Sequence, residues 1–238
     1  MESGNHFIVL YNELCSFLRK KTGLLNDAPF SQLLMEASRN DPTIQRWKSF
    51  LQAMGDLRNA IVHYRRYPPE IIADPRPEIV ERFEKTIEKI KSPAKVIPAF
   101  TRKIEPFSED TQLDAILAHM EENDYSQVVI KIGNEYRLLS SEGIVRWLCS
   151  ARKDGLADIE SAIVREVWAF EEKKTHLFMA CSSTIDEAIL AFDHAIARGI
   201  PRLQAILITH SGKFTEKPLG IITAWDLIKG TGDNDMAR

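Results

Sequence analysis

The sequence predicts an α+β protein in two parts: an N-terminal helical region and a C-terminal region built from two copies of one small β-α-β-β-α unit. Three observations carry this. Apolar residues recur at helical spacing through residues 1–92. After Pro98, short β-rich runs such as QVVIKI (127–132) and QAILIT (204–209) alternate with helical segments. These later segments also repeat. TQLDAILA (111–118) matches TIDEAILA (184–191) at an offset of 73, QVVI at 127 matches QAIL at 204 at an offset of 77, and RLLS at 137 matches GIIT at 220 at an offset of 83. The offset grows where the second copy has longer loops, near Arg198-Gly199 and across Gly212–Lys217.

Each N-terminal element has a local reason. Phe7, Leu10, Tyr11, Leu14, Phe17 and Leu18 line one face of a first helix, and Gly23 follows as a stop. Pro29–Asn40 makes a shorter second helix. Asp41-Pro42 supplies a cap and a proline at the first position of a long third helix, with Ile44, Trp47, Phe50, Leu51, Met54, Leu57 and Ile61 on its apolar stripe. Pro68-Pro69 ends that helix near Tyr67. A fourth helix begins near Pro77 and buries Ile79, Val80, Phe83, Ile87 and Ile90. Four antiparallel helices on short loops predict a four-helix bundle over 1–92. Ser92-Pro93 and Pro98 mark the boundary. The repeats are expected over 97–152 and 160–231, with Thr231–Arg238 as a disordered tail.

Composition limits the function classes. The 238 residues are 44% hydrophobic and 27% charged, with a formal net charge of −3. Residues 1–92 hold 14 Lys+Arg and 12 Asp+Glu, and the remainder is acidic, so no basic stripe calls for nucleic acid. Cys15, Cys149 and Cys181 are scattered, forming neither a disulfide framework nor a zinc site. The histidines have no metal-ligand spacing, and no metal is expected. The acidic N-terminus and the lack of a long apolar run predict a cytoplasmic protein without a membrane span.

The repeat order, ending in Gly220-Ile-Ile-Thr-Ala-Trp-Asp226, resembles the CBS domain, and two in tandem resemble a CBS pair, or Bateman module. That resemblance implies an adenosine ligand such as AMP, ADP or ATP, with Thr223 at the phosphate and Asp226 accepting from the ribose hydroxyls. Thr223-x-x-Asp226 also reads as a capping box that stabilises a helix with no ligand, and both readings stand. In the first copy, Arg137 replaces the glycine and Gly143 the aspartate. Ser140 can cap the helix or touch a phosphate, but the acidic partner is absent, so at most one good adenosine site is expected per pair.

The third helix carries Arg58-Asn59-Ala-Ile-Val-His63, which resembles the R-x(4–6)-H motif of the HEPN superfamily of helical bundles. At 100° per residue, His63 and Asn59 lie about 40° apart, opposite the apolar stripe, with Arg58 about 140° from His63. The resemblance implies a homodimer. It also implies, as an alternative, metal-independent cleavage of RNA: His63 would move a proton, Arg58 would stabilise phosphorane-like charge and Asn59 would orient the imidazole or the phosphate. The first reading is a nucleotide-sensing regulatory protein with a dimerising or effector bundle. The second is a nucleotide-regulated HEPN-type endoribonuclease using Arg58, Asn59 and His63.

Overall fold

A computed structural model of the chain describes residues 2–63, 74–152, 157–172, 175–197 and 203–230. The chain divides into two compact units, Met1–Ala94 with Ile185–Leu190 and Lys95–Thr184 with Ala191–Arg238. Among the described residues no helix is long and apolar enough to cross a membrane.

The first unit contains α1 (Glu2–Thr22), α2 (Phe30–Asn40), α3 (Pro42–His63) and α4 (Pro77–Lys91). Their boundaries follow local chemistry. Arg19, Lys20 and Lys21 crowd the last turn of α1, where cations meet the negative end of the helix dipole. Gly23 then adopts φ +68°, and its N–H donates to the Arg19 carbonyl at 2.9 Å. The Asp41 carboxylate caps α3 by accepting from the Ile44 N–H at 3.0 Å. Pro77 opens α4, with Glu78 in its first turn and Lys89 and Lys91 in its last. The predicted continuation of α3 to Tyr67 lies outside the described residues.

One apolar core joins these helices. Phe7, Leu14 and Leu18 meet Leu33, Leu34, Ile44, Leu51 and Phe83, all fully buried. The Phe7 and Phe83 rings lie 5.3 Å apart, a tilted pair that couples α1 to α4. At Gly55 a Cβ would stand 2.8 Å from the Phe30 ring, so a glycine here allows α2 and α3 to approach.

The second unit opens with a single turn, α5 (Val96–Ala99). Its first half runs β1 (Phe107–Ser108), α6 (Leu113–Glu122), β2 (Gln127–Ile132), β3 (Glu135–Ser140) and α7 (Ser141–Ala151). A short helix, α8 (Val164–Trp168), separates it from β4 (His176–Ala180), α9 (Ile185–Ala197, divided between the two units after Leu190), β5 (Ala205–Thr209), β6 (Gly220–Ile222) and α10 (Ala224–Gly230). Each half forms one three-stranded sheet, in the orders β1-β2-β3 and β4-β5-β6. In both, the first pair is parallel and bridged by a crossover helix, and the second pair is antiparallel. The internal repeat is thus a repeat of topology.

Burial explains the texture of the strands. β5 reads AILIT and is buried at every position, as expected of a strand covered on both faces. Val129 and Leu138 of the first sheet join Ala205 and Leu207 of the second in one cluster, with Tyr136, Phe178 and Ile221 packed around it. The two sheets of this unit therefore share a core.

Candidate functional site

The two halves of the second unit place corresponding strand-to-helix corners at Thr223 and Ser140. In the second corner, β6 ends at Ile222 and α10 begins at Ala224. The Thr223 N–H donates to Asp226 Oδ2 at 2.8 Å, and its hydroxyl donates to the same oxygen at 2.7 Å. The Asp226 N–H reaches back to Thr223 Oγ1 at 3.4 Å. This is the reciprocal geometry of a capping box. The other carboxylate oxygen, Oδ1, accepts from the Arg102 guanidinium at 2.6 Å.

The Asp226 side chain is 16% exposed and that of Arg102 50% exposed. Burial raises the carboxyl pKa, but the Thr223 hydroxyl and N–H and the Arg102 charge outweigh it and hold Asp226 below the usual aspartate value. Asp226 is therefore an anchored, ionised acceptor with one oxygen facing a half-exposed cation.

Gly220 opens this corner for a reason visible in the backbone. Thr101 bridges Gly220 in antiparallel fashion. A Cβ on Gly220 would stand 2.1 Å from the Phe100 carbonyl oxygen. The segment at 100–102 thus lies against β6, and the Arg102 N–H donates to the Leu219 carbonyl at 3.1 Å. This pairing delivers the Arg102 side chain to Asp226.

In the first corner, Ser140 is 1% exposed and caps α7, accepting from the Gly143 N–H at 3.2 Å. The acidic partner expected to be missing is present, but it comes from elsewhere in the chain. The Ser140 N–H donates to Glu171 Oε2 at 2.8 Å, and the Ser140 hydroxyl lies 2.9 Å from Oε2 and 3.0 Å from Oε1. The Glu171 carboxylate repeats the contacts that Asp226 makes with Thr223. Gly143 accounts for the exchange: a Cβ there would stand 2.3 Å from Glu171 Oε2.

Arg137, in the place of the second copy's glycine, pairs with Glu135 and stacks over the Phe214 ring at 5.1 Å. Its charge, added to burial as the larger cause, pushes the nearby His176 down to about 4. Neither Arg102 nor Glu171 stands out in the sequence as a site residue. The usable signal was Gly143, since a glycine in the first turn of a helix costs roughly 1 kcal/mol relative to alanine and calls for a reason.

In the first unit, Arg58 lies over the Tyr11 ring at 5.5 Å, and its guanidinium donates to Asn59 Oδ1 at 3.3 Å. Asn59 is exposed. The His63 side chain lies outside what is described, so its relation to the other two is not part of this geometry. Among the described residues no group of three His, Cys, Asp or Glu side chains is placed to hold a metal.

The sequence matches no known family profile and no curated protein. Solved structures do resemble it, and several of these are CBS-domain proteins. A protein with CBS domains from Burkholderia ambifaria MC40-6 is 14% identical, with 58% of this chain and 89% of that chain covered and a TM-score of 0.42. CBSX2, solved in complex with AMP, is 12% identical over 58% of this chain and 95% of that one, at a TM-score of 0.42. A hexameric CBS-CP12 protein from bloom-forming cyanobacteria is 11% identical over 59% and 73%, at 0.42.

Proposed function

We propose that this chain is a CBS-pair regulatory protein that senses an adenine nucleotide at the second corner and transmits its state to the helical unit. The observation that carries this reading is the Asp226 carboxylate. Thr223 anchors one of its oxygens, while the other faces a cation that can exchange. In this reading the ribose hydroxyls donate to Asp226 Oδ1 in place of Arg102. The released guanidinium then meets the phosphate, so that binding of the nucleotide exchanges one ion pair for another.

The remaining roles are proposals of the same kind. Ser140 borders the ligand space without supplying its acceptor. The helical unit, 1–92 in sequence, serves as a homodimerising or effector element. Control of one unit by the other is a coupling free energy between two sites. RNA cleavage through Arg58, Asn59 and His63 has less behind it, since the packing of Arg58 on Tyr11 and its bond to Asn59 support a role for Arg58 inside its own unit.

The test is calorimetric titration of ligand-free protein with adenosine and with the three nucleotides AMP, ADP and ATP, repeated with Asp226→Ala and Arg102→Ala. Binding by wild type that is lost in Asp226→Ala is expected. Arg102→Ala should discriminate less between AMP and adenosine than wild type does. No heat with any of the three nucleotides sinks the reading.

A further inference from the structure

The first corner contains a device that the second lacks. We infer that Glu171 is an internal ligand of the first strand–helix corner. It is delivered by the segment after α8 to replace the acid missing at Gly143, and it closes that corner from inside.

Four observations converge on this assignment. The Ser140 N–H and hydroxyl both bond the carboxylate, at 2.8 to 3.0 Å. The Ser140 side chain is buried, so these bonds are made away from water. Position 143 has no space for a side chain while Glu171 is seated. The neighbouring Glu172 fastens the same segment to α7 through Arg146 at 2.9 Å. The contacts at Thr223 show what this corner needs: one carboxylate oxygen shared by a backbone N–H and a hydroxyl. In the second copy a residue of α10 itself supplies that oxygen. In the first, a residue 31 positions away does so.

The assignment has two consequences. The segment after α8 is clasped to the N-terminus of α7. The donors of the first corner are also occupied, so a nucleotide entering this unit meets an exchangeable acceptor at the second corner and a filled one at the first. The second consequence rests on the nucleotide reading above, and the clasp itself does not.

The test is a transplantation of the carboxylate, read by thermal denaturation. Glu171→Ala should lower Tm by about 2–6 °C, the range for a lost capping carboxylate in a domain of this size. Gly143→Asp in wild type should also lower Tm, because two carboxylates then compete for one corner. Gly143→Asp added to Glu171→Ala should restore most of the loss, and should restore more than Gly143→Ala, which supplies helix propensity without a carboxylate. Exchange of the Ser140 amide should be slow in wild type, fast in Glu171→Ala and slow again in the double variant. The inference is overturned if Glu171→Ala leaves Tm within about 1 °C of wild type, or if Gly143→Asp restores no more than Gly143→Ala. Calorimetry with AMP should give one site per chain, and two sites overturn the closed corner. Absence of AMP binding instead counts against the nucleotide reading, while the transplantation still decides the clasp.

Discussion

Gly220→Ala is the substitution whose cost can be worked most directly from the structure. The added Cβ would lie 2.1 Å from the Phe100 carbonyl oxygen, 3.1 Å from its carbon and 3.3 Å from Ile208 Cδ1. Both Phe100 atoms are backbone, so no rotamer change relieves the overlap. The segment at 100–102 must retreat by about 1 Å, since carbon and oxygen in van der Waals contact sit above 3 Å. That retreat breaks the Thr101–Gly220 bridge and the Arg102 N–H bond to Leu219, at about 1 kcal/mol each. Overpacking strain adds about 1–3 kcal/mol. The total is roughly 3–5 kcal/mol, which lowers Tm by on the order of 10 °C. Thermal unfolding followed by circular dichroism reads it. Gly133→Ala is the control. Gly133 has φ +56° and open space around its Cβ, so the loss there is the left-handed backbone penalty alone, about 1–2 kcal/mol. If Gly220→Ala proves milder than Gly133→Ala, the close approach at Phe100 is not what position 220 serves.

Other perturbations have equally defined outcomes. Asp226→Ala removes a capping box and an ion pair with a half-exposed arginine, and should cost about 1–2 kcal/mol in denaturant titration, most of it from the cap. His176 binds its proton near pH 4 when folded and near 6.5 when unfolded. The unfolded chain therefore takes up the proton first as pH falls. Stability is therefore unaffected by His176 above pH 6.5 and falls as pH drops towards 4, the loss reaching roughly 2 kcal/mol by pH 5. His176→Phe should flatten the dependence of Tm on pH between 7 and 5, and an unchanged slope would show that His176 does not cause it. Gly55→Ala should destabilise the helical unit by about 1–3 kcal/mol through its overlap with the Phe30 ring, and adding Phe30→Leu should recover part of the loss.

What the sequence disclosed follows from how local each cause is. Asp41-Pro42 and Pro77 mark helix starts through chemistry confined to a few residues, and both starts appear where expected. The duplicated TQLDAILA and TIDEAILA strings fall at the starts of the crossover helices α6 and α9, each between the two strands of a parallel pair. Thr223 and Asp226 were legible because they cap one another three residues apart. Arg102 and Glu171 were not, since their partners lie 124 and 31 positions away and nothing in a linear pattern announces a tertiary contact. Gly143 was read as a deletion of function. The structure shows it to be the vacant half of a pair.

The two corners should also form at different moments of folding. The carboxylate of Asp226 can find the Thr223 N–H within a single turn of chain, so the start of α10 carries its own cap against fraying without help from the sheet. The start of α7 has no such local aid, for its carboxylate arrives only after α8 has been laid down and the intervening loop closed. Loss of Glu171 should accordingly speed unfolding far more than it slows folding, whereas loss of Asp226 should register on both limbs of a chevron. Two halves of one topology should therefore differ in how they fold and unfold.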